Sequence, residues 1–255
     1  MTTSRIALIT GGTAGIGLGL ARRYAGAGAR VVVAARPSAR LADVPQVIPG
    51  ATSIAVDLEA PEGRDALADA IVERYGRLDV LVNNAGIQRR VSVAEDASPW
   101  PERQRELDLL FAAPVHLTTL LLPVLRAAPA GQVVNVTSGG AFTPQPFAPV
   151  YSAMKAALHG WTVTLRHALA DTPVAVTELI PPAVATGLAG PGQAHGLGVD
   201  DFCDAVFPGL EAREVEVGAG PTATEEFRRL LADGARRFAA SATRFPVARF
   251  SGAGS

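Results

Sequence analysis

Short apolar runs rich in β-branched residues alternate along the chain with longer stretches of amphipathic, helical periodicity. The runs predict strands over Arg5–Thr10, Arg30–Ala35, Thr52–Asp57, Leu78–Asn83, Gln132–Ser138, Val174–Ile180 and Glu214–Val217. Helices are predicted near Gly15–Ala27, Pro61–Tyr75, Pro99–Arg126, Val150–Ala170, Val199–Leu210 and Ala223–Ala240. The strands read as continuous apolar stretches (VVVAA, VVNV) rather than alternating ones, as strands buried on both faces do. Strand–helix alternation of this kind predicts an α/β fold, a doubly wound, mainly parallel seven-stranded sheet with helices on both faces. No repeat and no shift of composition divides residues 1–255, so one domain is expected. Residues 187–198, GLAGPGQAHGLG, carry no periodicity. The segment 187–210 is therefore expected to hold a substrate loop or lid, and 250–255 to form a frayed tail.

Charge and composition narrow the function. There are 23 basic and 24 acidic side chains, a formal net charge of −1, so no basic face for nucleic acid is expected. No apolar run approaches the roughly 18 residues of a membrane span. A single cysteine, Cys203, rules out an intramolecular disulfide and suits a reducing compartment. The N-terminal sequence lacks the plan of a signal peptide, and a cytoplasmic location is expected. His116, His159, His167 and His195 show no metal-ligand spacing, and no metal is expected. The basic residues are 22 arginines and one lysine, Lys155. GC-rich coding favours arginine codons and is the bland cause; against so strong a drift the surviving ammonium, compact and with an adjustable pKa, is singled out as a candidate for chemistry.

Four short motifs carry chemistry. The first predicted strand runs into Thr10-Gly11-Gly12-Thr13-Ala14-Gly15-Ile16-Gly17, with glycines spaced GxxxGxG ahead of a helix. Glycines there let a backbone approach a diphosphate, and the free N–H groups of the helix start point at it. The alternative is a glycine-rich turn with no ligand. The second strand ends in Ala35-Arg36, where an acidic residue would bind ribose hydroxyls and select NAD. An arginine instead suits a 2′-phosphate and so predicts NADP(H) over NAD(H); a solvated surface arginine is the alternative. Asn83-Asn84-Ala85-Gly86 closes the fourth strand with two amides and two small residues. Thirteen residues after Ser138, at the end of the fifth strand, come Tyr151 and Lys155. They stand at i and i+4, on one helix face. A phenol has a pKa of about 10, and a neighbouring ammonium is expected to lower it by about 1–3. That would tune the phenol for proton exchange with a carbonyl or alcohol oxygen. Phe142, Pro144, Pro146 and Phe147, lying between Ser138 and Tyr151, predict a partly apolar substrate pocket.

Taken together, TGGTAGIG, Asp57-Leu58, NNAG, Ser138, Tyr151/Lys155 and the segment Pro181–Thr186 resemble the short-chain dehydrogenase/reductase family over roughly residues 5–186. The segments AAPVHLTTLLLPVL, VVNVTSGGAF, YSAMKAALHGWTVTLRHAL and VTELIPPAVAT are similar to its DltE-type oxidoreductase branch. The resemblance implies a Rossmann-like fold and a hydride transfer between NADP(H) and a small carbonyl or secondary alcohol. It makes Tyr151 the general acid–base, has Lys155 lower its pKa and bind ribose hydroxyls, and has Ser138 hold the substrate oxygen. Gly11, Thr13, Gly15, Ile16 and Gly17 would cradle the diphosphate. Asp57 and Leu58 would border the adenine, and Asn83, Ala85 and Gly86 the adenosine half. Pro181, Val184 and Thr186 would lie at the nicotinamide end. A homodimer or homotetramer is implied, through helices Pro99–Arg126 and Val150–Ala170. In one respect the chain departs from the family. The helix that usually contributes an asparagine to the site has Leu110 at the matching position, and no asparagine lies between Asn84 and Asn135. That substitution leaves open a second possibility, a dinucleotide-binding protein without redox turnover.

Overall fold

The computed structural model describes residues 4–190, 192 and 195–251. Seven strands form one sheet: β1 (Ile6–Thr10), β2 (Arg30–Ala35), β3 (Thr52–Ala55), β4 (Val80–Asn83), β5 (Gln132–Val136), β6 (Ala175–Ile180) and β7 (Glu216–Gly218). Their order is β3-β2-β1-β4-β5-β6-β7, and every neighbouring pair is parallel. The chain winds outwards from β1 to β3, then crosses back to β4 and winds the other way. The order therefore reverses between β1 and β4, where the strand ends part and open a crevice.

Helices cover both faces. On one side α1 (Gly15–Gly26) and α8 (Val199–Glu211) bury Leu20, Tyr24, Phe202, Val206 and Leu210 against Ile9, Val33 and Val134. On the other, α4 (Pro61–Tyr75) and α6 (Ala113–Arg126) bury Leu67, Ile71, Leu117, Leu121 and Leu125 against Leu8, Leu81 and Val133. Local signals set the helix ends. Pro61 opens α4 at a position with no N–H to lose, and Gly76 closes it at φ 62. α9 (Glu225–Arg244) begins at Thr224, whose hydroxyl accepts from Phe227 N–H at 3.2 Å. Two one-turn helices that the periodicity does not show, α2 (Ala39–Ala42) and α3 (Val44–Val47), follow β2.

Several boundaries differ from the sequence reading, each for a local reason. The third strand stops at Ala55, because the Asp57 carboxylate accepts from Glu59 N–H at 3.0 Å and turns the chain. The last strand begins at Glu216, not Glu214: Arg213 adopts φ 57 and Glu214 N–H closes back on Gly209 O. The long helix expected over Pro99–Arg126 is in three parts, α5 (Trp100–Leu107), a π turn (Asp108–Ala112) and α6. Pro114 has no N–H for the Leu110 carbonyl, and the ladder widens just ahead of it, Ala113 N–H reaching Asp108 O. This 27-residue helical path has the length and apolar content of a membrane span, contrary to expectation, yet its buried leucines pack on the sheet.

The stretch expected to form a lid is not loop throughout, because its second half packs into the core. Val199–Glu211 is a core helix with Phe202, Cys203, Val206 and Leu210 fully buried. The irregular stretch ahead of it is pinned at its base by a bridge between Val184 and Leu197. Nor is the tail frayed from 250. Phe250 N–H bonds Ala168 O at 2.9 Å, Ser251 bridges Asp171, and the Arg126 guanidinium lies 5.2 Å from the Phe250 ring centre. Residues 191, 193, 194 and 252–255 lie outside the described residues.

If residues 199–211 are core and not lid, Phe202→Ala should cost about 3–5 kcal/mol of stability. Urea denaturation of the variant measures this; a loss within about 0.5 kcal/mol, the range of a surface change, would return the helix to the lid.

Candidate active site

The crevice at the strand ends is an open cleft of about 1260 Å³, running from the loop after β2 to the loop after β6. Its floor is fixed by one set of hydrogen bonds. The Thr10 hydroxyl accepts from Asn84 N–H (2.9 Å) and Ala85 N–H (3.0 Å) and donates to Val82 O (3.2 Å). The Asn84 amide donates back to Thr10 O (2.9 Å) and Gly11 O (3.3 Å). This draws the ends of β1 and β4 together and leaves no space for side chains at positions 11 and 17 of the loop beside them. A Cβ on Gly11, itself at φ 66, would stand 2.8 Å from Ala85 Cα; one on Gly17 would stand 2.4 Å from Asn84 Nδ2 and 2.5 Å from Gly11 O. α1 starts here without a side-chain cap and without an acidic residue in its first turn. Its first N–H groups are thus free to meet an anion. A loop whose positions 11 and 17 exclude a Cβ, at an uncapped helix start, fits a diphosphate.

Gly11, Thr13, Gly15, Ile16 and Gly17 line the cleft, as do Arg36, Asp57, Leu58, Ala85, Gly86 and Thr186. Val184 and Pro181 lie at its inner end. Asn83 does not line the cleft. Strand alternation turns it into the core, where its amide donates to Thr118 Oγ1 (3.0 Å) and Asn135 Oδ1 (2.8 Å). Asn84 takes the place at the cleft that the sequence reading gave to Asn83. At the outer end Arg36 is 57% exposed, with Glu59 3.8 Å away. Glu59 is already held by Arg105 through two bonds of 2.9 and 3.2 Å, which leaves the Arg36 guanidinium available to a further anion.

The inner end narrows to a cavity of about 90 Å³ that brings together Ser138, Tyr151 and Lys155. Tyr151 and Lys155 stand one turn apart on α7 (Pro149–Ala168), both buried. Lys155 Nζ donates to Val136 O at 2.6 Å and lies 5.7 Å from the Tyr151 ring centre. Ser138 follows β5, its hydroxyl accepting from Gly140 N–H at 3.0 Å. Burial pushes the ammonium down to about 8. Burial also raises the phenol, with the Ser138 hydroxyl offsetting it in part. The expected lowering of the phenol is thus not met in the site as it stands, because both groups are dry and the ammonium is drawn to the Val136 carbonyl.

Leu110, on the π turn, is fully buried with Tyr151 and Ala148, and its Cδ2 lies 3.1 Å from where a Gly86 Cβ would stand. The apolar lining does not come from the segment expected to supply it. Phe142 turns away to His159 and Phe227, and Phe147 lies under Arg90, 4.3 Å from the guanidinium to the ring centre. Ile16, Val184, Pro182 and Leu188 provide it instead.

One buried group was missed. Glu178 on β6 is fully buried and accepts from Thr137 Oγ1 (2.7 Å), while its other oxygen meets His159 Nδ1 (2.9 Å). The available signal was a lone carboxylate in the apolar run AVTELI, together with a histidine four residues beyond Lys155.

Residues 5–195 match the family model of the short chain dehydrogenases. The chain is 45% identical over 186 residues to the oxidoreductase DltE of Bacillus subtilis, itself uncharacterized, covering 73% of this chain and 74% of that one. Among solved structures it is similar to a short-chain dehydrogenase from Sphingobium yanoikuyae in complex with NADPH, with 26% identity, a TM-score of 0.81, and 96% and 98% of the two chains covered. It is also similar to a 3-ketoacyl-(acyl-carrier-protein) reductase from Brucella melitensis complexed with NADH, with 29% identity, a TM-score of 0.76, and 85% and 97% covered. Nicotinamide dinucleotides of both kinds thus occur among its structural neighbours.

Burial of Lys155 carries a stability consequence. A base with its folded pKa near 8, below its unfolded value of about 10.4, destabilises the fold fully below pH 8. The penalty fades as pH rises and is gone above the unfolded value. Lys155→Met is therefore expected to stabilise the protein by about 1–3 kcal/mol at pH 7, after allowing for the lost Val136 hydrogen bond. Melting curves at pH 7 and above about 10 read this, and a gain that persists unchanged at the higher pH would contradict it.

Proposed function

The chain belongs to the short-chain dehydrogenase family, and from that premise we propose an NADP(H)-dependent oxidoreductase acting on a small carbonyl or secondary alcohol. The observation that carries the reading is the meeting of Ser138, Tyr151 and Lys155 in one small buried cavity at the inner end of a cleft shaped for a dinucleotide. A nicotinamide dinucleotide held in the cleft would supply hydride chemistry at the substrate carbon. The residues of the chain manage the oxygen. Ser138 holds it by a hydrogen bond. Tyr151 gives it the proton that turns a carbonyl into an alcohol, or removes that proton in the reverse direction. The phenol keeps its proton at neutral pH as the site stands, which suits reduction. Lys155 spends one of its three N–H donors on Val136 O. The two left over match a pair of vicinal ribose hydroxyls. Thr13 and the glycines of the first loop hold the diphosphate, and Pro181, Val184 and Thr186 border the nicotinamide. Arg36 receives the 2′-phosphate and thereby selects NADP(H). The apolar inner lining favours a substrate with an apolar flank. On family grounds the chain works as a homodimer or homotetramer, and its lone buried thiol, Cys203, suits the reducing cytoplasm.

A second reading follows from Leu110, an apolar side chain packed against Tyr151. On that reading the protein binds the dinucleotide without redox turnover. NADPH oxidation with a panel of ketones and aldehydes separates the two. Turnover supports the first; tight NADPH binding with none, relieved by Leu110→Asn, supports the second.

Within the first reading, Tyr151→Phe should lower turnover by about 10²–10⁴-fold. Lys155→Arg should keep the fold and lose most of the activity, because a guanidinium presents its donors in a fixed fork. Near-normal turnover in either variant would remove that residue from the mechanism. For the cofactor, calorimetric titration should find NADPH bound more tightly than NADH, and Arg36→Ala should weaken NADPH by roughly tenfold or more while sparing NADH. Equal binding of the two by the unaltered protein would remove the role given to Arg36.

A further inference from the structure

α7 carries a third polar residue on the face of Tyr151 and Lys155. His159 lies at i+4 from Lys155 and i+8 from Tyr151, on the same stripe of the helix. Two of its contacts lead to residues on either side of Ser138, one directly and one through a partner. Through Nδ1 it meets Glu178, whose other oxygen holds the hydroxyl of Thr137, the residue before Ser138. Through the edge of its ring it packs on Phe142, four residues after Ser138, with ring centres 4.6 Å apart. Phe142 is in turn braced by Phe227 of α9 at 5.0 Å.

The pair is a poor device for stability alone. A carboxylate fully buried in a parallel sheet is costly to desolvate, and such pairs are often no better than apolar residues of equal volume. What the pair adds is geometry. Lys155 holds Val136 O, Glu178 holds Thr137, and Thr162 of α7 accepts from the Asn135 amide at 2.9 Å, so residues 135–137 are tied in sequence to α7 or to its partner carboxylate. The charged groups facing the imidazole are Glu178 on β6, Glu216 on β7 and Arg166 on α7. Burial alone lowers the imidazole pKa, but Glu178 and then Glu216 outweigh it against the opposing Arg166, and His159 ends above its ordinary value.

We propose that His159 is a positioning residue for the reaction centre: paired with Glu178, it fixes Ser138 from both sides, through Thr137 before it and Phe142 after it. The consequence for turnover rests on the reading of Ser138 as the group that holds the substrate oxygen; the structural content does not.

Removing His159 alone would strand a buried carboxylate, so the test uses the double variant His159→Leu/Glu178→Gln beside the conservative His159→Gln, which keeps a donor to Glu178. Hydrogen exchange at pH 6.5 on the intact protein reads positioning without any need for turnover. In the double variant the amides of residues 138–143 are expected to lose about tenfold of their protection, with β1 and β4 unchanged. His159→Gln should lose less. In steady state the double variant should show kcat lowered by about tenfold and KM for the carbonyl raised, with NADPH affinity within about twofold; His159→Gln should recover most of kcat. A folded double variant whose protection and kcat both stay within about twofold of the parent overturns the proposal, as does loosening spread evenly over all strands. Should the parent turn over no carbonyl, the functional reading fails while the exchange pattern still decides the positioning role.

Discussion

The architecture of the site depends on the clasp between Thr10 and Asn84. It ties β1 to β4 at the one place where the strand order reverses, and a reversal with untied ends would leave the floor of the cleft loose. Everything at the glycine-loop end of the cleft follows from it. The clasp brings the Asn84 amide and the Gly11 carbonyl to where side chains at positions 11 and 17 would stand, so those positions exclude anything larger than glycine. The chain can then enter α1 with bare N–H groups facing the cleft. One hydroxyl and one amide therefore set the sequence of the loop, and the loop sets the chemistry of the ligand.

The reaction end is organised by a different rule. There, α7 acts as a ruler laid along the end of β5, its polar residues reaching the strand at successive steps. The groups involved are ones a core ordinarily rejects: an ammonium and a phenol, both buried, and a carboxylate with no exposure. Each is retained by a definite partner. Local stability is given up for placement, as is common where groups must be dry and ready to exchange protons.

Much of this was legible in the sequence. Seven apolar runs gave seven strands, because strands buried on both faces advertise themselves without regard to their partners. The spacing of Tyr151 and Lys155 carried their adjacency because helix geometry alone enforces it. Features that depend on contacts remote in sequence were not legible. Nothing in the run NNAG says which amide faces the cleft, since a one-residue shift in where the strand ends exchanges Asn83 for Asn84. The π turn was not legible either, because Pro114 shows where a helical donor is missing and not how the ladder closes around the gap. Residues 199–210 adjoin a glycine-rich loop, yet their own periodicity places Phe202, Val206 and Leu210 on one buried face. His159 has no metal-ligand spacing to mark it, and its partner Glu178 lies on a strand 19 residues away.

The lysine count has a consequence of its own. Every basic side chain but one is a guanidinium, and the exception is 4% exposed. Apart from a chain terminus, the surface offers no primary amine to acyl donors, aldehydes or amine-directed crosslinkers. Any acylation of a side-chain primary amine in this protein must therefore happen inside the cleft, at Lys155 Nζ. It would remove the charge beside Tyr151 and fill space at the inner end of the cleft. In most proteins lysine chemistry is spread over the exterior; here an amine-reactive label that attaches to a side chain is a report on the access and occupancy of one cavity.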